Sequence, residues 1–213
     1  MSIKCGIVGL PNVGKSTLFN ALTSQKIDAE NFPFCTIEPN IARVNIPDAR
    51  LDQLAALVNP EKVIPSFMEF VDIAGLVKGA HSGEGLGNKF LSHIRETQCF
   101  AHVIRCFDDE NVIHVEGKVS PLEDLETIDT ELILADLEII IKRKERIGKQ
   151  LRNGDKATQF EFDLLEKIEN HLNKTKPIRD LSFEPNENEI IKQIQLVTAK
   201  PFFFIAITLG CCL

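Results

Sequence analysis

The feature that most constrains this 213-residue chain is its glycine-rich segment at residues 9–17, Gly-Leu-Pro-Asn-Val-Gly-Lys-Ser-Thr. The segment matches the pattern G-x-x-x-x-G-K-S/T, an apolar run of strand length precedes it, and residues with helical spacing follow it. A loop between a strand and a helix directs backbone N–H groups at anionic oxygens. The sequence therefore predicts a nucleoside-triphosphate site. The residues expected to bind the phosphates are Asn12, Val13, Gly14, Lys15, Ser16 and Thr17.

Strand and helix patterns alternate along the chain. Apolar or alternating runs predict strands at 2–8, 37–46, 66–72, 101–107 and 201–206, and helical spacing predicts helices at 14–24, 48–57, 89–98 and 185–196. A phosphate loop after the first strand of such a series is typical of an α/β P-loop NTPase with a doubly wound, mostly parallel sheet. Because ligands bind beyond the carboxyl ends of these strands, the loops after Val8, Asp72 and Phe107 should face one site.

Two long helical patterns interrupt this alternation. Residues 122–152 and 155–174 carry apolar residues at spacings of three and four, with Asn153 and Gly154 as a turn between them. The pattern predicts an antiparallel, coiled-coil-like helical hairpin at 122–176 that projects from the nucleotide domain. Two roles stay open for this hairpin, a spacer and an arm that docks on a partner.

A second motif, Asp72-Ile-Ala-Gly75, follows a predicted strand and has the form D-x-x-G. At a strand end, Asp72 is suited to hold Mg²⁺ through a water, and the Gly75 N–H is suited to approach the γ-phosphate. The Ser16 hydroxyl is the expected direct ligand of Mg²⁺. Thr36, before the second strand, either supplies another hydroxyl to the metal or only begins the strand.

The residue that activates the attacking water is less clearly marked in the sequence than the phosphate and metal ligands are. Related hydrolases often place a glutamine after the glycine of D-x-x-G, whereas this chain has Leu76, which cannot hydrogen-bond water. His81 and His114 lie in loops expected on the ligand side of the sheet. His114 either polarises a water or is a surface histidine in an acidic stretch, and His102, within a strand, is expected in the core.

Composition limits the partners and the compartment. The net charge of −7 argues against a broad nucleic-acid footprint and so against direct sequence-specific DNA binding. No stretch reaches the length of about 18 apolar residues that a membrane span needs. The six cysteines show no C-x-x-C spacing, which favours a reducing, cytoplasmic location. No N-K-x-D motif is present, so nothing supports selectivity for guanine.

Five segments together resemble the Obg-like ATPase family of the YchF type, over about residues 1–206: 9–17, 31–40, 72–80, 83–88 and 112–118. The resemblance implies an ATPase that prefers ATP to GTP, uses Mg²⁺, carries a hydrophobic residue at the Leu76 position and associates with ribosomes, with the large subunit as the expected partner. It also implies a helical arm within the nucleotide domain, which agrees with the hairpin at 122–176.

The resemblance stops near the C-terminus. Family members continue into a base-reading segment and a C-terminal TGS domain, whereas residues 207–213 do not match. We therefore expect a nucleotide-binding domain at 1–206 that is incomplete at its C-terminal end, a non-matching tail and no TGS domain. Two other functions stay open at this point, a GTP-binding switch protein of the wider Obg group and a binding module without turnover.

Overall fold

The computed structural model describes residues 3–23, 40–73, 86–151 and 155–209 of the chain. The strands are β1 (Ile3–Val8), β2 (Asn40–Asn45), β3 (Phe67–Asp72), β4 (Cys99–Arg105) and β5 (Phe202–Ile207). The helices are α1 (Lys15–Thr23), α2 (Ala49–Val58), α3 (Leu86–Arg95), α4 (Pro121–Gly148), α5 (Lys156–Leu172) and α6 (Pro185–Ile194).

The described strands form one sheet in the order β2-β3-β1-β4-β5. β1 pairs in parallel with both β3 and β4, β4 pairs in parallel with β5, and only β2 runs antiparallel to its neighbour, β3. The predicted α/β class with a mostly parallel sheet is confirmed. Because the four parallel strands share a direction, their carboxyl ends at Val8, Asp72, Arg105 and Ile207 lie along one edge of the sheet.

Several element ends have local causes that are visible in the sequence. α2 begins after Asp48, whose side chain accepts a hydrogen bond from the Arg50 N–H, so the expected N-cap is confirmed. It ends at Asn59, which adopts a left-handed conformation that asparagine tolerates. β5 reaches Ile207, one residue into the segment that the sequence assigned to the tail.

The central core lies around β1, with apolar residues of the sheet packed against α1, α3 and the first half of α4. β1 contributes Ile7 and Val8, both fully buried, because a strand flanked by parallel neighbours is covered on both faces. Phe19 of α1 and Ile94 of α3 are also fully buried. This packing fixes the start of α1, and with it the phosphate-loop segment, against the sheet.

The helical hairpin is only partly as predicted. Ile128, Leu132 and Ala135 of α4 belong to the core of the sheet, so the first half of this helix covers the nucleotide domain rather than projecting from it. The second half and α5 form another apolar cluster, which α6 joins. Lys142 and Phe160 follow the spacing of three and four that predicted the two helices, yet both are exposed. The reason is that α4 faces two different partners along its length, so its buried stripe changes direction.

No helix among the described ranges combines the length and the hydrophobicity that crossing a bilayer requires. The predicted turn at 153–154, most of the glycine-rich loop at 73–88, and the site residues Thr36 and Gly75 lie outside the described residues.

Candidate functional site

The phosphate-loop motif connects β1 to α1, as its sequence predicts. Asn12 and Gly14 have positive φ angles of 61° and 99°, which turn the chain sharply before the helix. Gly14 tolerates this conformation because it has no Cβ. The first helical hydrogen bond runs from the Leu18 N–H to the Gly14 carbonyl at 2.9 Å, so the N–H groups of the preceding residues have no partner within the helix. A cluster of N–H groups without a helical partner at a helix start is suited to bind an anion.

The side chains of the loop differ in what they offer a ligand. Val13 is buried in the core, so it would contribute only its backbone N–H, and Thr17 at the start of α1 is exposed. Asn12 is half-buried, and its Nδ2 donates a hydrogen bond to the Ile113 carbonyl at 3.0 Å. The loop therefore touches the segment that follows β4.

Gly9 is required by the packing of the loop. A Cβ at this position would lie 2.6 Å from the Val103 carbonyl oxygen and 3.0 Å from Val13 Cγ2. Because the first of these atoms is backbone of the interior strand β4, it cannot move aside cheaply.

We expect Gly9→Ala to lower the free energy of unfolding by about 1–3 kcal/mol, the usual cost of overpacking a core. The measurement is urea unfolding followed by circular dichroism. Gly148→Ala is the matched control, because a Cβ there would meet Phe162 Cε2 at 3.6 Å, an ordinary contact. That substitution in a helix should be neutral or stabilise by up to about 1 kcal/mol. Equal stability of the Gly9 variant and the unmodified chain would contradict the packing argument.

Lys15 folds back over the phosphate loop. Its Nζ donates a hydrogen bond to the Leu10 carbonyl at 2.7 Å, and the residue is only 8% exposed. Burial lowers the pKa of Lys15 to about 8, and the nearby Asp72 charge partly opposes this shift. A polyphosphate bound beside the ammonium would favour its charged form, because opposite charges stabilise each other most where water is excluded.

Asp72 and Ser16 meet at the carboxyl edge of the sheet. The Ser16 Oγ donates a hydrogen bond to Asp72 Oδ2 at 3.0 Å. Burial raises the pKa of Asp72, whereas the Ser16 hydrogen bond and the Lys15 charge lower it. Ser16 lies in the first turn of α1 and Asp72 at the end of β3, so the pairing of β1 with β3 brings together residues 56 positions apart.

This pair has the chemistry of a magnesium site. Mg²⁺ prefers hard oxygen ligands and is usually held by one or two carboxylate or hydroxyl groups plus substrate phosphates. Ser16 and Asp72 supply such oxygens next to the phosphate loop. Groups of three or more His, Cys, Asp or Glu side chains that could hold a metal by themselves do not occur among the residues that the structure covers. The donor set thus fits a metal that a bound phosphate helps to coordinate.

The segment after β4 is held by an arginine that the sequence analysis did not single out. Arg105 is only 1% exposed, and its guanidinium donates to the carbonyls of Phe107 at 3.0 Å, Val112 at 2.9 Å and Asp109 at 3.2 Å. The signal was present, because a charged residue ends an otherwise apolar strand. These bonds fix the loop at residues 106–114 against the carboxyl end of β4.

His114 is not a surface histidine. It is buried, its Nε2 lies 3.1 Å from Asp124 Oδ2, and the Glu116 N–H donates to its Nδ1 at 3.2 Å. The alternative of an exposed side chain is therefore wrong, because the start of α4 covers the imidazole. Both ring nitrogens are engaged in this arrangement, so contact with a water at the site requires release of one of these hydrogen bonds. Catalytic hydrogen bonds often form only when the substrate is bound.

His102 lies within β4 and is buried, as the sequence predicted. Burial lowers its pKa to about 4, and the charges of Arg179 and Lys15 act in the same direction. Its ring packs against Phe204 of β5, with the ring centroids 5.8 Å apart. His102 is thus a neutral core residue. Two expected contributors to the site, Thr36 and Gly75, fall outside the described residues, as do Leu76 and His81.

Comparisons with known proteins agree with this geometry. The sequence model of a family described as 50S ribosome-binding GTPase matches residues 4–143. The chain is 52% identical over 206 residues to the ribosome-binding ATPase YchF of Bacillus subtilis, covering 97% of this chain and 56% of that protein. It is 54% identical over 206 residues to the protein of the same name from Escherichia coli O157:H7, with 97% and 57% covered.

A solved structure, the YchF GTPase of Schizosaccharomyces pombe, superimposes with a TM-score of 0.79 at 42% identity and covers 97% of this chain and 57% of that one. The chain thus spans a little over half the length of the curated relatives it matches. The matched region includes the phosphate loop, Asp72 and the segment after β4. The chain therefore belongs to the 50S ribosome-binding GTPase family and, within it, to the YchF type.

Proposed function

We propose that this chain is an Mg²⁺-dependent P-loop hydrolase that converts ATP to ADP and phosphate, with ATP preferred to GTP. The observation that carries the proposal is the 3.0 Å hydrogen bond between Ser16 and Asp72, beside the buried ammonium of Lys15. A hydroxyl and a cation at the start of one helix, with a carboxylate at the end of the neighbouring strand, are the groups that bind a metal-bound triphosphate.

Each residue of the site has a proposed role. Residues 12–17 hold the phosphates, mainly through backbone N–H groups, and Lys15 neutralises the outer phosphates. Ser16 and Thr36 bind Mg²⁺, Asp72 holds the water shell of the metal, and Gly75 contacts the γ-phosphate. When bound, the metal ion neutralises charge that develops on the phosphate oxygens.

His114 is the proposed residue that polarises the attacking water. Two observations support this role. Its neighbour Ile113 accepts a hydrogen bond from Asn12 of the phosphate loop, so the segment adjoins the phosphate site. The imidazole also has a buried carboxylate partner, Asp124, which favours a fixed orientation of the ring.

The preference for ATP rests on the missing guanine motif. Guanine readers use the carboxylate of N-K-x-D, which is absent from this sequence. The names of similar proteins divide on this point, because the bacterial relatives are named ATPases, whereas the yeast structure and the family description name GTPases. GTP hydrolysis is therefore the second candidate function.

We expect ATP to displace a fluorescent triphosphate analogue from the chain at a lower concentration than GTP does, with displacement dependent on Mg²⁺. Competition titrations with ATP, GTP and their diphosphates measure this order, and a phosphate-release assay measures turnover. EDTA should reduce triphosphate affinity more than diphosphate affinity, because the metal bridges the outer phosphates. Lower GTP concentrations for displacement would support the GTP switch, and binding without phosphate release would support a non-catalytic module.

The proposed partner is the ribosome, with the large subunit as the contact, and the proposed location is the cytoplasm. The support comes from the words "50S ribosome-binding" in the family description and "ribosome-binding" in the names of the bacterial relatives. The second half of α4 together with α5 is the proposed docking arm, with a spacer as the alternative. We include neither a membrane nor a specific DNA sequence among the partners.

A further inference from the structure

A buried carboxylate of α4 contacts the histidine of the proposed site. Asp124 lies in the first turn of α4, and its Oδ2 is 3.1 Å from Nε2 of His114. The two side chains are only 6% and 4% exposed. A polar pair this deeply buried is retained only when each group satisfies the other, because an unpaired buried polar group is costly.

The hydrogen bonds around His114 define which nitrogen carries the proton. The Glu116 N–H donates to Nδ1 at 3.2 Å, so Nδ1 is the acceptor of the ring. A neutral imidazole has one acceptor and one donor, and the proton is therefore on Nε2, directed at Asp124. The carboxylate thus selects one tautomer and leaves the lone pair of Nδ1 as the only basic atom of the ring.

Two contacts hold the segment of this histidine against the phosphate loop and β4. Asn12 Nδ2 donates to the carbonyl of Ile113, the residue before His114, at 3.0 Å. Arg105 donates to the carbonyl of Val112 at 2.9 Å and fixes the same segment to β4. The phosphate loop, the segment at 112–116 and the start of α4 are thus joined through short polar contacts.

We propose that Asp124 is a positioning residue for hydrolysis, which holds His114 as the Nε2–H tautomer so that Nδ1 receives the proton of the attacking water. This inference rests on the proposed function of His114. Release of the Glu116 N–H frees Nδ1. The water O–H bond breaks as its proton moves to Nδ1, the water oxygen bonds to the γ-phosphorus, and the bond to the β–γ bridging oxygen breaks. ADP leaves with that oxygen, and the imidazolium stays paired with Asp124 until its proton passes to solvent.

The competing interpretation is that the pair only fastens the segment at 112–116 to α4. The two interpretations predict different turnover when substitutions at Asp124 and His114 are combined. A residue that acts through His114 loses its effect on turnover once His114 is gone, whereas a fastener affects stability whether or not His114 performs chemistry. They also differ in the tautomer of His114, which a fastener does not need to control.

The test measures steady-state ATP hydrolysis by the full 213-residue chain and by its Asp124→Asn variant. We expect kcat to fall on the order of 10-fold to 100-fold with KM changed less than about threefold, since loss of a correctly oriented general base costs about this much or more. Asp129→Asn is the matched control, because Asp129 lies on the same helix and pairs with Arg179 instead of His114. That variant should keep the kcat of the unmodified chain. The double variant Asp124→Asn with His114→Ala should be no slower than His114→Ala alone.

Nitrogen-15 NMR of labelled histidine supplies a readout that does not depend on turnover. In the unmodified chain, the His114 resonances should report a proton on Nε2, and in Asp124→Asn they should shift towards the other tautomer.

Unchanged kcat and an unchanged tautomer in Asp124→Asn, with turnover lost in His114→Ala, would overturn this inference and leave the proposed function intact. Full turnover in His114→Ala would overturn the catalytic role of His114 and this inference with it. If the two substitutions lowered kcat independently, so that their effects multiplied in the double variant, Asp124 would serve only to fasten the segment at 112–116 to α4.

Discussion

Replacing Lys15 with alanine should weaken ATP binding on the order of 100-fold or more, the loss expected when one member of a buried charge pair is removed. The ammonium is almost fully buried beside the phosphate loop and donates a hydrogen bond to a backbone carbonyl, that of Leu10, so its charge is not neutralised there and can attract an anionic ligand. Without it, the outer phosphates lose the only lysine of the loop motif. Isothermal titration calorimetry with a non-hydrolysable ATP analogue and Mg²⁺ measures the change.

The matched control for this variant is Lys142→Ala. Lys142 is an exposed lysine of α4 that pairs with Glu138 on the same helix face, so its loss should leave nucleotide affinity unchanged. Thermal melts without nucleotide report whether the Lys15 variant is folded, and added Mg²⁺-ATP should stabilise only the unmodified chain and the control. Retained affinity in a folded Lys15→Ala protein would remove the basis of the proposed phosphate site.

Replacing Asp136 with alanine should lower the free energy of unfolding on the order of 3–5 kcal/mol, because two buried N–H groups and a buried hydroxyl lose their acceptor. Asp136 of α4 is fully buried. It accepts from the Val197 N–H at 2.9 Å, the Thr198 N–H at 2.8 Å and the Thr198 hydroxyl at 2.7 Å. These bonds join α4 to the 3₁₀ turn that leads into β5.

Urea denaturation measures this effect, and two further variants make it specific. Asp136→Asn keeps one acceptor oxygen and should lose less stability than the alanine variant. Asp163→Ala removes an exposed carboxylate of α5 that accepts from Gln159, and its effect should stay within about 0.5 kcal/mol. Similar midpoints for the Asp136 and Asp163 alanine variants would show that the buried carboxylate does not anchor the turn.

Much of the site was predictable from local sequence. The phosphate-loop motif located Lys15 and Ser16, and the D-x-x-G pattern located Asp72 at a strand end. The 3.0 Å contact between Ser16 Oγ and Asp72 Oδ2 followed from one topological rule. The carboxyl ends of parallel strands lie along the same edge of a sheet. Local motifs were sufficient here because the geometry of a strand, a tight loop and a helix N-terminus depends mainly on neighbouring residues.

The surroundings of His114 were not predictable in the same way. It follows the acidic stretch at 108–110, and one sequence-based interpretation placed it at the surface. The burial arises because α4 begins seven residues later and covers the imidazole with Asp124. The role of Arg105 was also missed, because its three acceptors are backbone carbonyls that have no side-chain signature.

The hairpin shows the same limit. The spacing of apolar residues predicted both helices and their antiparallel pairing, but α4 packs on the sheet with one stripe and on α5 and α6 with another. Periodicity along a helix reports which residues avoid water, and it does not report which element covers them.

The sequence by itself determined the phosphate loop, the alternation of strands and helices, and the identity of the residues that meet at the sheet edge. Those features arise from the short-range geometry of glycine, strand and helix end. Only the tertiary structure decided the burial of His114 and its contact with Asp124, the anchoring of β5 through Asp136, and the division of α4 between two cores. The reason is physical, because burial and hydrogen-bond partners depend on contacts between residues that lie far apart in the chain.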